Sequence, residues 1–328
     1  MSSSDAPAQA PLGALIGDGT GGARSTDWDG VAAWRPEQGW LWVHLDRTDA
    51  GAQRWLREQS GLNPLACQAL LEEETRPRVV AGDDALLVIL RGVNLNPGDE
   101  PDDMIALRLW VEARRIITLR HRRLLAVQDV REQLVEGRGP RSPGECLVAV
   151  TARLVDRQAP VIEALEDTVD EIEAATVAAE GHALRTRIAD VRRQAIGLRR
   201  YIAPQRDVLA RIPSERVSWL DDLQRARLRE IGDRQLRLVE EVDAARERAA
   251  VAQEELGGRL AEQMNRNMYV LSLIAGVFLP LGLLTGLLGI NVGGIPGTDS
   301  PYAFAVVCVI LAVIAVLVVW LFRRLRML

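Results

Sequence analysis

The sequence predicts an α+β protein: an N-terminal α/β sheet domain, a long helical stalk, and two apolar C-terminal helices, the first continuous with the stalk. Three observations carry this. Residues 268–290 and 302–322 are successive apolar stretches, and from 267 to 322 the sole carboxylate is Asp299 and there is no base. Residues 213–267 hold apolar side chains at approximate heptad spacing among dense charge, with no proline between Pro213 and Pro280. Over 12–140, short aliphatic runs alternate with helical periodicity.

Residues 1–11 have neither a basic start nor a continuous apolar core, so a disordered leader is expected rather than a signal peptide. Strands are expected at 39–45, 85–91, 104–111 and 115–119, where β-branched and aliphatic residues cluster between turn or charged residues. Helices are expected at 50–60, at 64–74 behind Asn63-Pro64, and at 122–136. After Pro140 and Pro143 a helical pair fills 141–212, as 144–178 and 182–211, with a break near Gly181 and a kink at Pro204. The stalk begins after Pro213 and carries Val217, Leu220, Leu223, Leu228, Ile231 and Met264 on its apolar positions. Unbroken into the first apolar stretch, it would reach on the order of 110 Å.

About 20 apolar residues cross about 30 Å of hydrocarbon as a helix, so 268–290 and 302–322 are each long enough to span a membrane. Arg259 and Arg266 precede the first span, Arg323, Arg324 and Arg326 follow the second in the basic tail 323–328, and the loop 291–301 has no base. The positive-inside rule then sets both termini in the cytosol, with the chain a multi-pass protein of the cytoplasmic (inner) membrane. Gly276, Gly282, Gly286 and Gly289 suit the first span to close helix approach inside an assembly, while the aliphatic second span suits contact with lipid. Two helices enclose no pore, so conduction requires several copies around an axis.

The net charge of −5 gives no electrostatic footprint for nucleic acid. Every basic side chain is arginine or histidine. Cys67, Cys146 and Cys308 are far apart, as are His44, His121 and His182, so neither a disulfide framework nor a resident His/Cys zinc site is expected, and no cofactor. There is no P-loop, nucleophile elbow or metalloprotease motif, which argues against an enzyme. A membrane-tethered sensor or scaffold is the alternative from a different class.

Gly289-Ile290-Asn291, followed by Val292-Gly293-Gly294-Ile295-Pro296-Gly297, resembles the CorA-type metal-ion transporters, in their ZntB-like, zinc-associated branch. The segment Glu73–Arg78, the run 108–134 and the run 198–209 resemble the same branch. The resemblance implies a homopentamer moving a divalent cation through a central pore: Zn²⁺ first, with Co²⁺, Ni²⁺, Cd²⁺ or Mg²⁺ open. It makes Gly289, Ile290 and Asn291 the outer mouth. Such an ion sheds water reluctantly, so a ring of neutral Asn291 oxygens can hold it hydrated without trapping it. Asn291 also suits a plain helix C-cap.

Met268, Leu271, Ala275, Leu279 and Gly282 recur at steps of three or four and so share a helix face. Counted back from the tripeptide, they match the family's pore-lining positions, with Asn265 and Asn267 at an inner mouth. Arg323, Arg324 and Arg326 resemble its basic collar. Asp299 is placed to concentrate cations outside. Glu72-Glu73-Glu74, Asp83-Asp84, and Glu163 with Glu166-Asp167 are candidate regulatory cation sites. Neither span holds an Asp, Glu or His to relay protons, which leaves proton coupling open.

Overall fold

The computed structural model describes residues 13–178, 181–289, 297 and 300–324. They form two units, divided between Gln253 and Glu254.

The first unit is organised by a seven-stranded sheet in the order β2-β1-β3-β7-β6-β5-β4. Its strands are β1 (Gly13–Gly17), β2 (Ala23–Thr26), β3 (Trp40–Asp46), β4 (Arg78–Gly82), β5 (Ala85–Gly92), β6 (Ile105–Val111) and β7 (Arg115–Arg120). β3 and β7 run parallel, and the other neighbours are antiparallel. The four predicted strands are the four at the centre and are buried on both faces, which is why they read as continuous apolar runs.

Helices cover both faces. Leu41, Val43 and Leu45 of β3 point to one side, into a core shared with α1 (Trp28–Ala33), α2 (Ala50–Glu58) and α3 (Pro64–Leu71). The alternate residues meet the other layer, in which α5 (Pro143–Asp156) lies along the central strands and α4 (Leu125–Val135) packs on α5. Asp27, Asp49, Asn63 and Ser142 each cap the helix that follows by accepting a backbone N–H. His44 is buried with Nδ1 2.8 Å from the Thr118 hydroxyl, which also accepts from Trp42 Nε1. Burial, then Arg120 and Arg131, push its pKa down to about 3, so it is neutral in the folded protein.

Three longer helices follow: α6 (Ala159–Ala178), α7 (Gly181–Arg211) and α8 (Asp222–Leu288). A closed ring of buried amides ties them to the sheet. The Arg91 N–H donates to Gln205 Oε1, Gln205 Nε2 to Gln235 Oε1, Gln235 Nε2 to Gln158 Oε1, and Gln158 Nε2 to the Arg91 carbonyl. All three glutamines are fully buried. Ion pairs add to this at the surface, Arg199 with Asp243, and Arg248 with Asp170 and Glu173.

The structure departs from the sequence expectations in several places. β1, β2, β4 and α1 were not anticipated. The expected helix 144–178 is two helices, broken at Arg157-Gln158, where Gln158 turns into the amide ring. The stalk helix starts at Asp222 rather than after Pro213. Val217 and Leu220 are buried in the connection before it, while Leu223 and Met264, assigned to its apolar face, are exposed. Asp221 sets the start: its carboxylate accepts the Gln224 N–H and its own N–H reaches Gln224 Oε1, a reciprocal cap. The leader 1–11 lies outside the described residues.

The second unit holds the rest of α8 and α9 (Ala303–Arg324). Gly276 is where the two helices touch: a Cβ there would stand 2.6 Å from Phe322 Cζ.

Candidate functional site

The described part of the candidate ion path is the last stretch of α8. At about 100° per residue, most of the half-buried positions (Leu273, Gly276, Val277, Pro280 and Leu284, with Leu281 at the edge) fall on one face, the face against which Phe322 packs. The stripe of Met268, Leu271, Ala275, Leu279 and Gly282 is centred about 160° round from it. Met268, Leu271, Leu279 and Gly282 are exposed and Ala275 is half-buried. So α9 covers one side of the helix and leaves the candidate stripe open on the other. Asn265 and Asn267 are exposed further down α8.

The helix end explains one residue of the tripeptide. The Gly289 N–H is shared between the Thr285 and Gly286 carbonyls, at 3.0 and 3.2 Å. A Cβ on Gly289 would sit 3.2 Å from the Thr285 oxygen, so the tightened last turn favours glycine. The Thr285 hydroxyl turns back to the Leu281 and Gly282 carbonyls. A helix C-terminus carries partial negative charge, which suits an approaching cation. Ile290, Asn291, Asp299 and Arg326 lie outside the described residues. At the other end of α9, Arg324 lies over the Trp320 ring, 5.3 Å from its centroid, and Arg323 is exposed.

Two of the candidate acidic residues in the first unit engage neighbouring groups. Glu72 pairs with Arg78 at 2.9 Å. Asp83 and Asp84 form the β4–β5 turn with φ of 51° and 56°, a conformation Asp tolerates better than most residues. The Asp84 carboxylate accepts the Ser218 hydroxyl and N–H, which hold its pKa below the ordinary value. On α6, Glu166 is close enough to Glu241 of α8 to raise that carboxyl, though burial raises it more. Among the described residues, no three His, Cys, Asp or Glu side chains gather into a metal-holding group. Burial raises the Cys67 and Cys146 thiols above their ordinary pKa, which keeps them protonated.

Both apolar segments are long enough to cross a bilayer, and none of their residues is buried within the chain. A core helix of a soluble protein would be covered. These features define an α+β membrane protein whose soluble unit shares a helix with a two-helix hairpin. Residues 37–324 match the family described as CorA-like Mg²⁺ transporter protein, and the chain belongs to that family. It is 44% identical over 317 residues to the divalent cation transporter CmaX of Pseudomonas aeruginosa, covering 94% of each chain. It is 38% identical over 303 residues to the zinc transport protein ZntB of Yersinia enterocolitica, covering 92% of this chain and 91% of that one. The solved structure of full-length CmaX superposes with a TM-score of 0.86 at 41% identity, covering 98% of this chain and all of that one. The chain is therefore a divalent-cation transporter of this family and not an enzyme, and the sensor alternative falls.

Proposed function

We propose that five copies of this chain surround a central path for Zn²⁺ in the cytoplasmic membrane, with both termini in the cytosol. The observation that carries this is the phase of α8: its stripe of candidate pore residues lies opposite the face that Phe322 occupies. In an assembly, the covered face meets α9 and the open stripe meets the axis. Leu271 and Leu279 then form apolar constrictions and Ala275 a wider layer between them. Gly282 adds a small-residue layer above them, while Met268 and Asn265 line the inner end. Asn291, with Gly289 and Ile290, receives the hydrated ion. Arg323, Arg324 and Arg326 form a collar beside the exit, where they also anchor to lipid headgroups.

Zinc is preferred for the Gly-Ile-Asn form and the similarity to ZntB. A Mg²⁺ or Co²⁺ cargo is the second reading, favoured by the family's own description. Purified chain in liposomes, given Zn²⁺, Mg²⁺ or Co²⁺ with and without a pH gradient, separates the two and tests proton coupling. The Asn291→Ala protein, still pentameric, is expected to lose its flux. Unchanged flux would remove Asn291 from the mechanism.

A further inference from the structure

A cavity of about 190 Å³ opens at the carboxyl ends of the parallel strands β3 and β7. Four guanidinium groups, Arg47, Arg91, Arg108 and Arg122, line it against two carboxylates, Glu73 and Asp103. Asp103 is already engaged by Arg122. The other three arginines bond to carbonyls around the end of α3. Arg47 donates to the Leu71 oxygen, Arg108 to those of Glu72 and Glu73, and Arg91 to those of Met104 and Thr75. Carbonyls satisfy N–H groups but neutralise no charge. Among the described residues, no carboxylate lies within ion-pair distance of Arg47, Arg91 or Arg108.

Arg108 is 2% exposed, in the middle of a strand. A buried cation with no carboxylate in direct contact is costly. Consistent with this, burial and then the neighbouring Arg47 and Arg91 pull its pKa down to about 10, against a smaller opposing pull from Glu72. The Nε atoms of Arg47, Arg91 and Arg108 are buried without a hydrogen-bond partner, so donors remain unused as well as charge. The planar guanidinium fork matches two oxygens of one tetrahedral anion. The space equals about six water volumes, enough for a phosphate group but not for a nucleoside with it. Ligands of α/β sheets commonly bind in such a crevice beyond the carboxyl ends of parallel strands.

We propose that this cavity binds a small oxyanion of the phosphate class, held by Arg47, Arg91 and Arg108. The anion balances the excess of four arginines over two carboxylates in the lining. It is either free inorganic phosphate or the terminal phosphate of a nucleotide whose remainder stays outside. Arg91 joins this site to the amide ring, because its backbone N–H and carbonyl are held by Gln205 and Gln158. Occupancy therefore bears directly on the strand end to which α7 and α8 are tied.

The test is calorimetric titration and thermal unfolding of the full chain in detergent, with inorganic phosphate, ATP, and sodium chloride at matched ionic strength. Phosphate is expected to bind saturably and raise the melting temperature, while chloride does neither. Tighter binding of ATP than of phosphate identifies a nucleotide as the source, and the reverse identifies the free ion. Arg47→Gln, at a half-buried position with one carbonyl bond, is expected to fold and to weaken binding on the order of tenfold. Arg108→Met removes the buried charge and is expected to abolish binding; if it does not fold, Arg47→Gln decides. Absence of a saturable phosphate effect, an equal effect of chloride, or unchanged affinity in Arg47→Gln overturns the site.

Discussion

Leu90 and Val313 are both aliphatic, yet they describe opposite environments. Leu90 on β5 has no exposed surface, whereas Val313 on α9 is 58% exposed. In the first unit, most apolar side chains are hidden by the chain's own helices and most charges face outward, Arg108 being an exception. In the second, the apolar side chains face outward and the chain hides almost none of them. The difference shows that burial within one chain measures stability only where the surroundings are water. For α9 and the end of α8, hydrocarbon or another copy takes the place of a core, so their energetics depend on what the protein is dissolved in.

The largest expected effect sharpens this contrast directly. Leu90→Ala should cost about 4 kcal/mol in chemical unfolding of the full chain in detergent, because it opens a cavity in a closed core. Val313→Ala in the same measurement should change little, and equal losses would break the contrast. Next, Val313→Arg should reduce membrane insertion by about 3 kcal/mol, read as the membrane-integrated fraction after carbonate extraction. On a water-facing helix the same change would pass almost unnoticed. A smaller effect concerns acid. The pKa of His44 is about 3 when folded against 6.5 when unfolded, so the unfolded chain takes up its proton first as pH falls. Stability is therefore lost from about pH 6.5 downward, by about 2 kcal/mol between pH 7 and 5. His44→Gln should flatten that slope in unfolding curves. The smallest effect lies inside the hairpin. Gly276→Leu should push Phe322 aside at about 1 kcal/mol, and Phe322→Ala in the same chain should recover part of the loss.

What the sequence disclosed follows the same division. The apolar hairpin and the central strands were legible because each is set by its own composition. β1 (GALIG) and β2 (ARST) were not, because they are strands by virtue of pairing with β3 and with each other. The break between α5 and α6 did have a signal: Pro160 sits in the first turn of α6, where proline is tolerated. The start of α8 had one too, in Asp221 and Gln224 at capping-box spacing. Spacing showed only that Met268, Leu271, Ala275, Leu279 and Gly282 share a face of α8; their place at the pore, and that of Gly289 at the mouth, came from the family resemblance. The arginine cluster was not legible, since Arg47, Arg91 and Arg108 meet only through the sheet register. Its one trace was an arginine inside the otherwise apolar run Ile105–Val111.

The amide ring has a sense of circulation. Each glutamine donates onward and accepts from behind, and any one of them turned over would set NH₂ against NH₂ and oxygen against oxygen. A ring of side chains alone could run either way. This one cannot, because Arg91 enters through its backbone, whose N–H and carbonyl cannot exchange places. One strand residue thus dictates the orientation of three amides on three separate segments. A lone change such as Gln235→Glu removes the donor to Gln158 and leaves the circuit open at that bond, so these positions are expected to tolerate substitution together far better than singly.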